Sequence, residues 1–166
     1  ADDIRHFKPG QIAMGWFYLA EKKELARAAI DKNMTVIGWQ DMYDPDGNYT
    51  FEKNRWFAGY IATAQALPFA YASPKRLNIG VLGTRNGRVA RGTITRLEEE
   101  GLVEGKHFET FGRNGQDRFK ELLPTFDVVI SCGYYDPTKG YLLTLGDLQE
   151  MKSEALLVDA CSDGIE

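Results

Sequence analysis

The chain is poor in the residues that build covalent or metal-centred frameworks: its 166 residues include two cysteines, Cys132 and Cys161, and two histidines, His6 and His107. Both cysteines sit inside or beside apolar, strand-like runs, which suits buried thiols in a reducing compartment and excludes a disulfide framework. The histidines are far apart and have no paired cysteines beside them, so zinc-ligand spacing is missing and no metal site is expected. Basic charge is also scarce. The formal net charge is -4, and no stripe of Lys or Arg is available to neutralise a phosphate backbone, which argues against nucleic acid as a partner. No apolar run approaches the ~20 residues of a membrane span. The first residues, with Asp2, Asp3, Arg5 and His6, lack a signal-peptide pattern. These absences point to a cytoplasmic protein that binds neither nucleic acid nor membrane. What the chain does have is 43% hydrophobic residues, enough for the core of one domain or one and a fraction.

Along the chain, Gln11 to Leu19 is apolar and aromatic, and Glu21 to Asn33 is rich in helix formers, a strand followed by a helix. Met34 to Trp39 suits a buried strand, and Asp44-Pro-Asp-Gly-Asn48 is a dense turn cluster. Phe51 to Ala72 reads as a long linking helix with Phe57, Ile61, Ala64 and Leu67 on its apolar face, ending or kinking near Pro68. Beyond a boundary at Ser73-Pro-Lys-Arg76 the pattern alternates. Strands are expected at Leu77 to Leu82, Lys106 to Phe111, Phe126 to Ser131 and Ala155 to Ala160. Helices are expected at Gly87 to Glu100, Asp117 to Leu122 and Thr144 to Lys152. Such alternation implies an α/β fold with a parallel sheet and right-handed crossovers. Residues 73–166 then form a Rossmann-type doubly wound parallel sheet. Residues 1–72 contribute a βαβ-like piece, too short for a finished domain, and the linking helix.

The segment Ile79-Gly-Val-Leu-Gly83-Thr-Arg-Asn-Gly87-Arg-Val-Ala90 sets strand, glycine turn and helix start in the order a dinucleotide-binding loop requires. Gly83 allows a tight turn, Gly87 lets backbone approach a pyrophosphate, and Ala90 lets the helix lie close to the strand. Free N–H groups at the helix start, around Arg88 and Val89, then face the phosphates. Thr84, Arg85 and Asn86 stand where G-x-G-x-x-G/A has one residue, and an ordinary βα turn would use glycines in the same way. After the second strand comes Phe111-Gly-Arg113-Asn114, where NAD-binding proteins usually carry an acidic residue. Arg113 is either a solvated loop residue or the acceptor of a 2′-phosphate. The second reading makes NADP the first choice of cofactor and NAD the alternative. Cys132-Gly133-Tyr134 follows the carboxyl end of the next strand, where α/β sheets hold ligands, and is a candidate lining of the ribose or nicotinamide pocket against a simple packing role.

With the glycine loop, several segments resemble the alanine dehydrogenase and transhydrogenase superfamily, closest to its opine-forming members, carboxyethylornithine synthase and lysine-forming saccharopine dehydrogenase. They are Gly10-Gln-Ile-Ala-Met-Gly-Trp-Phe-Tyr-Leu19, Met34-Thr-Val-Ile-Gly-Trp39, Phe57-Ala-Gly59, Phe126-Asp-Val-Val-Ile-Ser-Cys132 and Leu156-Leu-Val-Asp159-Ala-Cys-Ser-Asp163. The resemblance implies two Rossmann-like domains, a split catalytic domain and a nucleotide domain, with the active site in the cleft between them. Residues 1–72 would then be the C-terminal part of the split domain with its linking helix, and the chain a fragment of a longer enzyme. The family's general acid/base histidine falls at Tyr18. Tyrosine can donate a proton, but with a pKa near ~10 it suits neutral pH less well. Asp163 falls where the family has a carboxylate beside the reacting carbon, whereas local sequence alone reads Ser162-Asp163-Gly164 as a turn. An acidic residue the family often carries before its Ala-Gly pair is Trp56 here, which implies a reshaped substrate pocket.

The resemblance implies an opine-type oxidoreductase acting on CH–NH bonds, with an amino acid and a 2-keto acid as substrates and a homo-oligomer as the assembly. The competing expectations are a simple 2-amino acid (alanine-type) dehydrogenase, a non-catalytic nucleotide-binding domain, and a purely structural module.

Overall fold

The computed structural model describes residues 6–71, 77–133, 140 and 142–161. It divides into two compact units, Ala1–Glu52 and Lys53–Glu166. The sequence reading drew its boundary about twenty residues later, after the long helix.

In the first unit β1 (Ile12–Gly15) and β2 (Thr35–Gly38) run parallel, with Ile12 opposite Thr35 and Gly15 opposite Gly38. Helix α1 (Lys23–Asp31) connects them. It stops at Asn33, which adopts the left-handed φ of +49°. The Asn33 N–H donates to the Ile30 carbonyl at 2.8 Å and the Met34 N–H to the Ala29 carbonyl at 3.0 Å. These paired bonds form a Schellman close in which asparagine takes the usual place of glycine. Asp44 organises the turn cluster: its carboxylate accepts from the backbone N–H groups of Asp46 (3.0 Å) and Asn48 (2.7 Å). Ala13 and Ala29 are buried here, while Ile12, Met14 and Ile30 are exposed.

The second unit carries a four-stranded parallel sheet in the order β4-β3-β5-β6, formed by β3 (Ile79–Leu82), β4 (Phe108–Phe111), β5 (Val128–Ser131) and β6 (Leu156–Asp159). Every residue of the two central strands, β3 and β5, is buried. That burial explains their unbroken apolar composition, since a parallel sheet covered on both faces has no wet side to alternate with. Helix α2 (Glu52–Tyr71) and α3 (Arg88–Glu99) cover one face, where Leu67, Ala70, Ile94 and Leu97 pack on Ile79, Val81, Val128 and Ile130. On the other face Leu82, Phe111 and Val129 meet Phe119 of α4 (Gln116–Leu122) together with Leu123, Phe126 and Leu143. Leu148 of α5 (Leu145–Gln149) packs against the same group. Full burial of a phenylalanine such as Phe119 contributes roughly 2–3 kcal/mol. Helices on both faces make the sheet doubly wound, a mixed α/β Rossmann-type fold.

Helix α2 departs from the sequence reading in two ways. It passes through Pro68 to Tyr71 without ending there. A proline this late removes one N–H bond, and the burial of Leu67 and Ala70 secures the last turn. Its buried face is also only in part the expected one: Leu67 is buried and Ala64 half-buried, but Phe57 and Ile61 are about half exposed, and Gly59, Thr63, Ala66 and Ala70 face inward with Leu67. The reason is contact between backbones. A Cβ on Gly59 would collide with the Val89 carbonyl of α3, and one on Gly92 with the Trp56 carbonyl of α2. At so close a crossing small residues pack better than large ones. The Thr63 hydroxyl donates to the Gly59 carbonyl (2.7 Å), and the Thr93 hydroxyl donates to the same oxygen (3.2 Å).

Candidate nucleotide-binding site

The chain leaves β3 to reach β4 on one side and then β5 on the other, so the order of the sheet reverses between β3 and β5. Open α/β sheets bind ligands at the carboxyl ends of the strands flanking such a reversal. A cavity of about 430 Å³ lies there, bounded by Leu82, Gly83 and Thr84 after β3 and by Phe111, Gly112, Arg113 and Asn114 after β4. Gly133 closes it after β5, with Gln116 and Leu142 alongside.

The glycine loop begins at Gly83, whose φ is +154°; a Cβ there would stand 2.7 Å from the Ala90 Cβ and 3.0 Å from that of Cys132. Only glycine lets β3 meet the first turn of α3 and the end of β5 at this distance. Ala90 is fully buried, in keeping with the need for a small residue. Thr84, Arg85 and Asn86 are taken up in a turn closed by the Gly87 N–H on the Thr84 carbonyl at 2.8 Å. Helix α3 starts at Arg88 with Gly87 as its N-cap and no side-chain cap. The first bond of the helical ladder runs from the Arg91 N–H to the Gly87 carbonyl, so the N–H groups before it take no part in that ladder.

Arg85 and Arg113 have different surroundings. Arg85 donates to Glu98 at 2.7 Å and, through two nitrogens, to Glu104 at 2.8 and 3.0 Å. These partners raise its already high pKa. Arg113 lies in a 3₁₀ turn directly after β4 and is exposed. Among the described residues its guanidinium has no ion pair, and Glu109 on the same strand is held by Arg118 at 2.7 Å.

Cys132 is a packing residue. Its N–H donates to the Leu82 carbonyl at 2.8 Å, its sulfur lies 3.3 Å from the Thr93 hydroxyl, and burial pushes its thiol up to about 12. A Cβ on Gly133 would collide with Leu142. Of the residues chosen from sequence, Gly83, Thr84, Arg113, Asn114 and Gly133 therefore share one cavity wall. Arg85, Asn86, Gly87, Arg88, Val89 and Cys132 lie outside that lining. Tyr134 and Asp163 fall outside the described residues. Phe111, Gln116 and Leu142 were missed: Phe111 is there because β4 ends at the cavity, and Gln116 and Leu142 are brought to it by α4 and the segment before α5, which no local motif announces.

In the first unit Tyr18 has a φ of +50°, unusual for an aromatic residue. Its ring stacks on Trp16 with centroids 6.4 Å apart, and the Lys22 ammonium lies 5.7 Å from its centre. Trp16 in turn meets Trp39 and Phe51, so aromatic side chains gather where β1 and β2 end.

No family model matches the chain. In sequence it is similar to an N(5)-(carboxyethyl)ornithine synthase of Clostridium botulinum (strain Hall), with 24% identity over 176 aligned positions covering 97% of this chain and 54% of that protein. In structure it is similar to an L-alanine dehydrogenase, with a TM-score of 0.67 and 15% identity over 98% of this chain and 53% of the other. The chain thus spans about half the length of each. Sequence likeness to the one and a fold shared with the other make the alanine dehydrogenase-like superfamily the one this chain resembles.

Proposed function

We propose that the second unit binds a nicotinamide dinucleotide across the carboxyl ends of β3, β4 and β5, and that the chain is part of an amino acid dehydrogenase of the opine type. The observation that carries the reading is the cavity at the sheet reversal, bordered by a glycine that no other residue could replace without moving Ala90 or Cys132. Its volume of about 430 Å³ is within the range of small-molecule sites. Gly83 and Thr84 would lie against the pyrophosphate, with Gly87 and the backbone of Arg88 and Val89 nearby at the start of α3. Arg113 and Asn114 would face the adenosine ribose, and the exposed guanidinium of Arg113, without an ion pair among the described residues, favours NADP over NAD. Gly133 and Tyr134 would border the nicotinamide.

The cofactor supplies the hydride when bound. The reaction would join the amino group of an amino acid to a 2-keto acid with loss of water and reduce the resulting imine. Tyr18 is the proposed proton donor, supported by its strained backbone, and Asp163 the proposed electrostatic partner of the reacting carbon. Residues 1–72 would form part of a split catalytic domain; the exposed Ile12, Met14 and Ile30 support this, because a two-stranded sheet has too little surface of its own to bury them. An alanine-type dehydrogenase using ammonia is the second reading, favoured by the fold shared with L-alanine dehydrogenase.

Titration of the chain with NADPH and NADH, followed by nicotinamide fluorescence, tests the reading. Binding of NADPH ahead of NADH is expected, and binding of neither would overturn it. Turnover of NADPH with an amino acid and a 2-keto acid, and not with ammonia in place of the amino acid, separates the opine reaction from the simpler one.

A further inference from the structure

The glycine loop is longer than the dinucleotide-binding pattern requires, and its extra residues are tied to the edge of the sheet. Arg85 reaches Glu98 near the end of α3 and grips Glu104 with two nitrogens. Glu104 sits beside Phe108 at the outer side of β4, and its second oxygen accepts from the Thr110 hydroxyl at 2.6 Å. Loop, helix and edge strand therefore meet in one cluster of four side chains. A second fastening lies next to it: a Cβ on Gly112 would stand 2.8 Å from the Thr84 methyl, so the loop also rests on the backbone at the end of β4. With two carboxylates around it, Arg85 offers little net positive charge to a phosphate, in contrast to Arg113.

We propose that Arg85 is a positioning residue: with Glu98, Glu104 and Thr110 it latches the lengthened loop to β4 and holds the Gly83–Gly87 backbone in place for the dinucleotide without touching it. This rests on the dinucleotide reading above. The hydrogen bond from Thr110 and the charge of Arg85 hold the Glu104 carboxyl below the usual range in spite of burial, so the latch is ionised at neutral pH. Because its members are partly exposed, with Arg85 at 51%, the latch adds little to global stability. It acts on the loop.

The test compares NADPH and NADH affinities of the full chain with those of Arg85→Met, Arg85→Lys and Glu104→Gln, alongside their thermal unfolding midpoints. Arg85→Met and Glu104→Gln should each weaken both nucleotides by about threefold, with the NADPH/NADH ratio and the midpoint unchanged. Arg85→Lys should recover most of the loss. A changed ratio would mean that Arg85 touches the 2′-phosphate and would overturn the proposal. Unchanged affinities, or losses that follow a falling midpoint, would overturn it as well. If the unsubstituted chain binds neither nucleotide, the dinucleotide reading itself fails and the latch with it.

Discussion

Both units contain parallel strands joined by a helix, yet only the second closes its core. Its central strands are buried on both faces by α2 and α3 on one side and α4 and α5 on the other. The first pairs two four-residue strands and leaves Ile12, Met14 and Ile30 in solvent. A parallel sheet gains its stability from covering helices and not from the ladder alone. The contrast is one of core closure, and it can be broken or sharpened by experiment.

The largest effect is expected at Cys132, where the closed core reaches the site. With the thiol pushed up to about 12, thiolate is scarce at pH 8, and alkylation of the native chain should run about a thousandfold slower than in denaturant. Peptide mass spectrometry after timed iodoacetamide treatment reads this, and rapid native labelling would show that the second unit opens readily. Next in size is Gly92→Val, which drives a side chain into the Trp56 carbonyl. A loss of about 3 kcal/mol in urea unfolding is expected. An unaffected midpoint would mean that α2 does not cross α3 so closely.

Arg113→Ala is expected to weaken NADPH by about 10- to 100-fold, the worth of a charge-assisted bond to phosphate, and to leave NADH within about twofold. Equal losses for both nucleotides would move Arg113 from specificity to general binding. The smallest effect belongs to the first unit. Asn33→Val forces a branched residue into the left-handed close of α1 and should cost about 1–2 kcal/mol locally, read as faster amide exchange in α1 with the second unit's exchange unaltered. Loss of protection in both would show that the units fold as one.

The strands β1 to β6 and the helices α1 to α5 were legible in the sequence, because the apolar runs are short, β-branched and separated by helix formers. The glycine loop was legible too, including the need for a small Ala90. Less visible was the inward face of α2. Periodicity selects large apolar residues, whereas Gly59 and Thr63 are chosen by a backbone contact with α3, a partner that periodicity cannot see. The partners of Arg85 were hidden for a related reason: Glu98 and Glu104 lie 13 and 19 residues away in the chain, and only the packing of α3 beside β4 brings them to the loop. Phe111 read as a strand residue, and it is both core and cavity wall since β4 ends at the site.

The contact among Gly83, Ala90 and Cys132 joins three parts of the chain at the end of two strands and one helix. It sets a shared volume: an added methyl at any one position must be taken from another. Randomised together, the three sites should therefore yield functional combinations in which a larger residue at one is matched by a smaller residue at its neighbour, so that mutational tolerance belongs to the trio and not to its members.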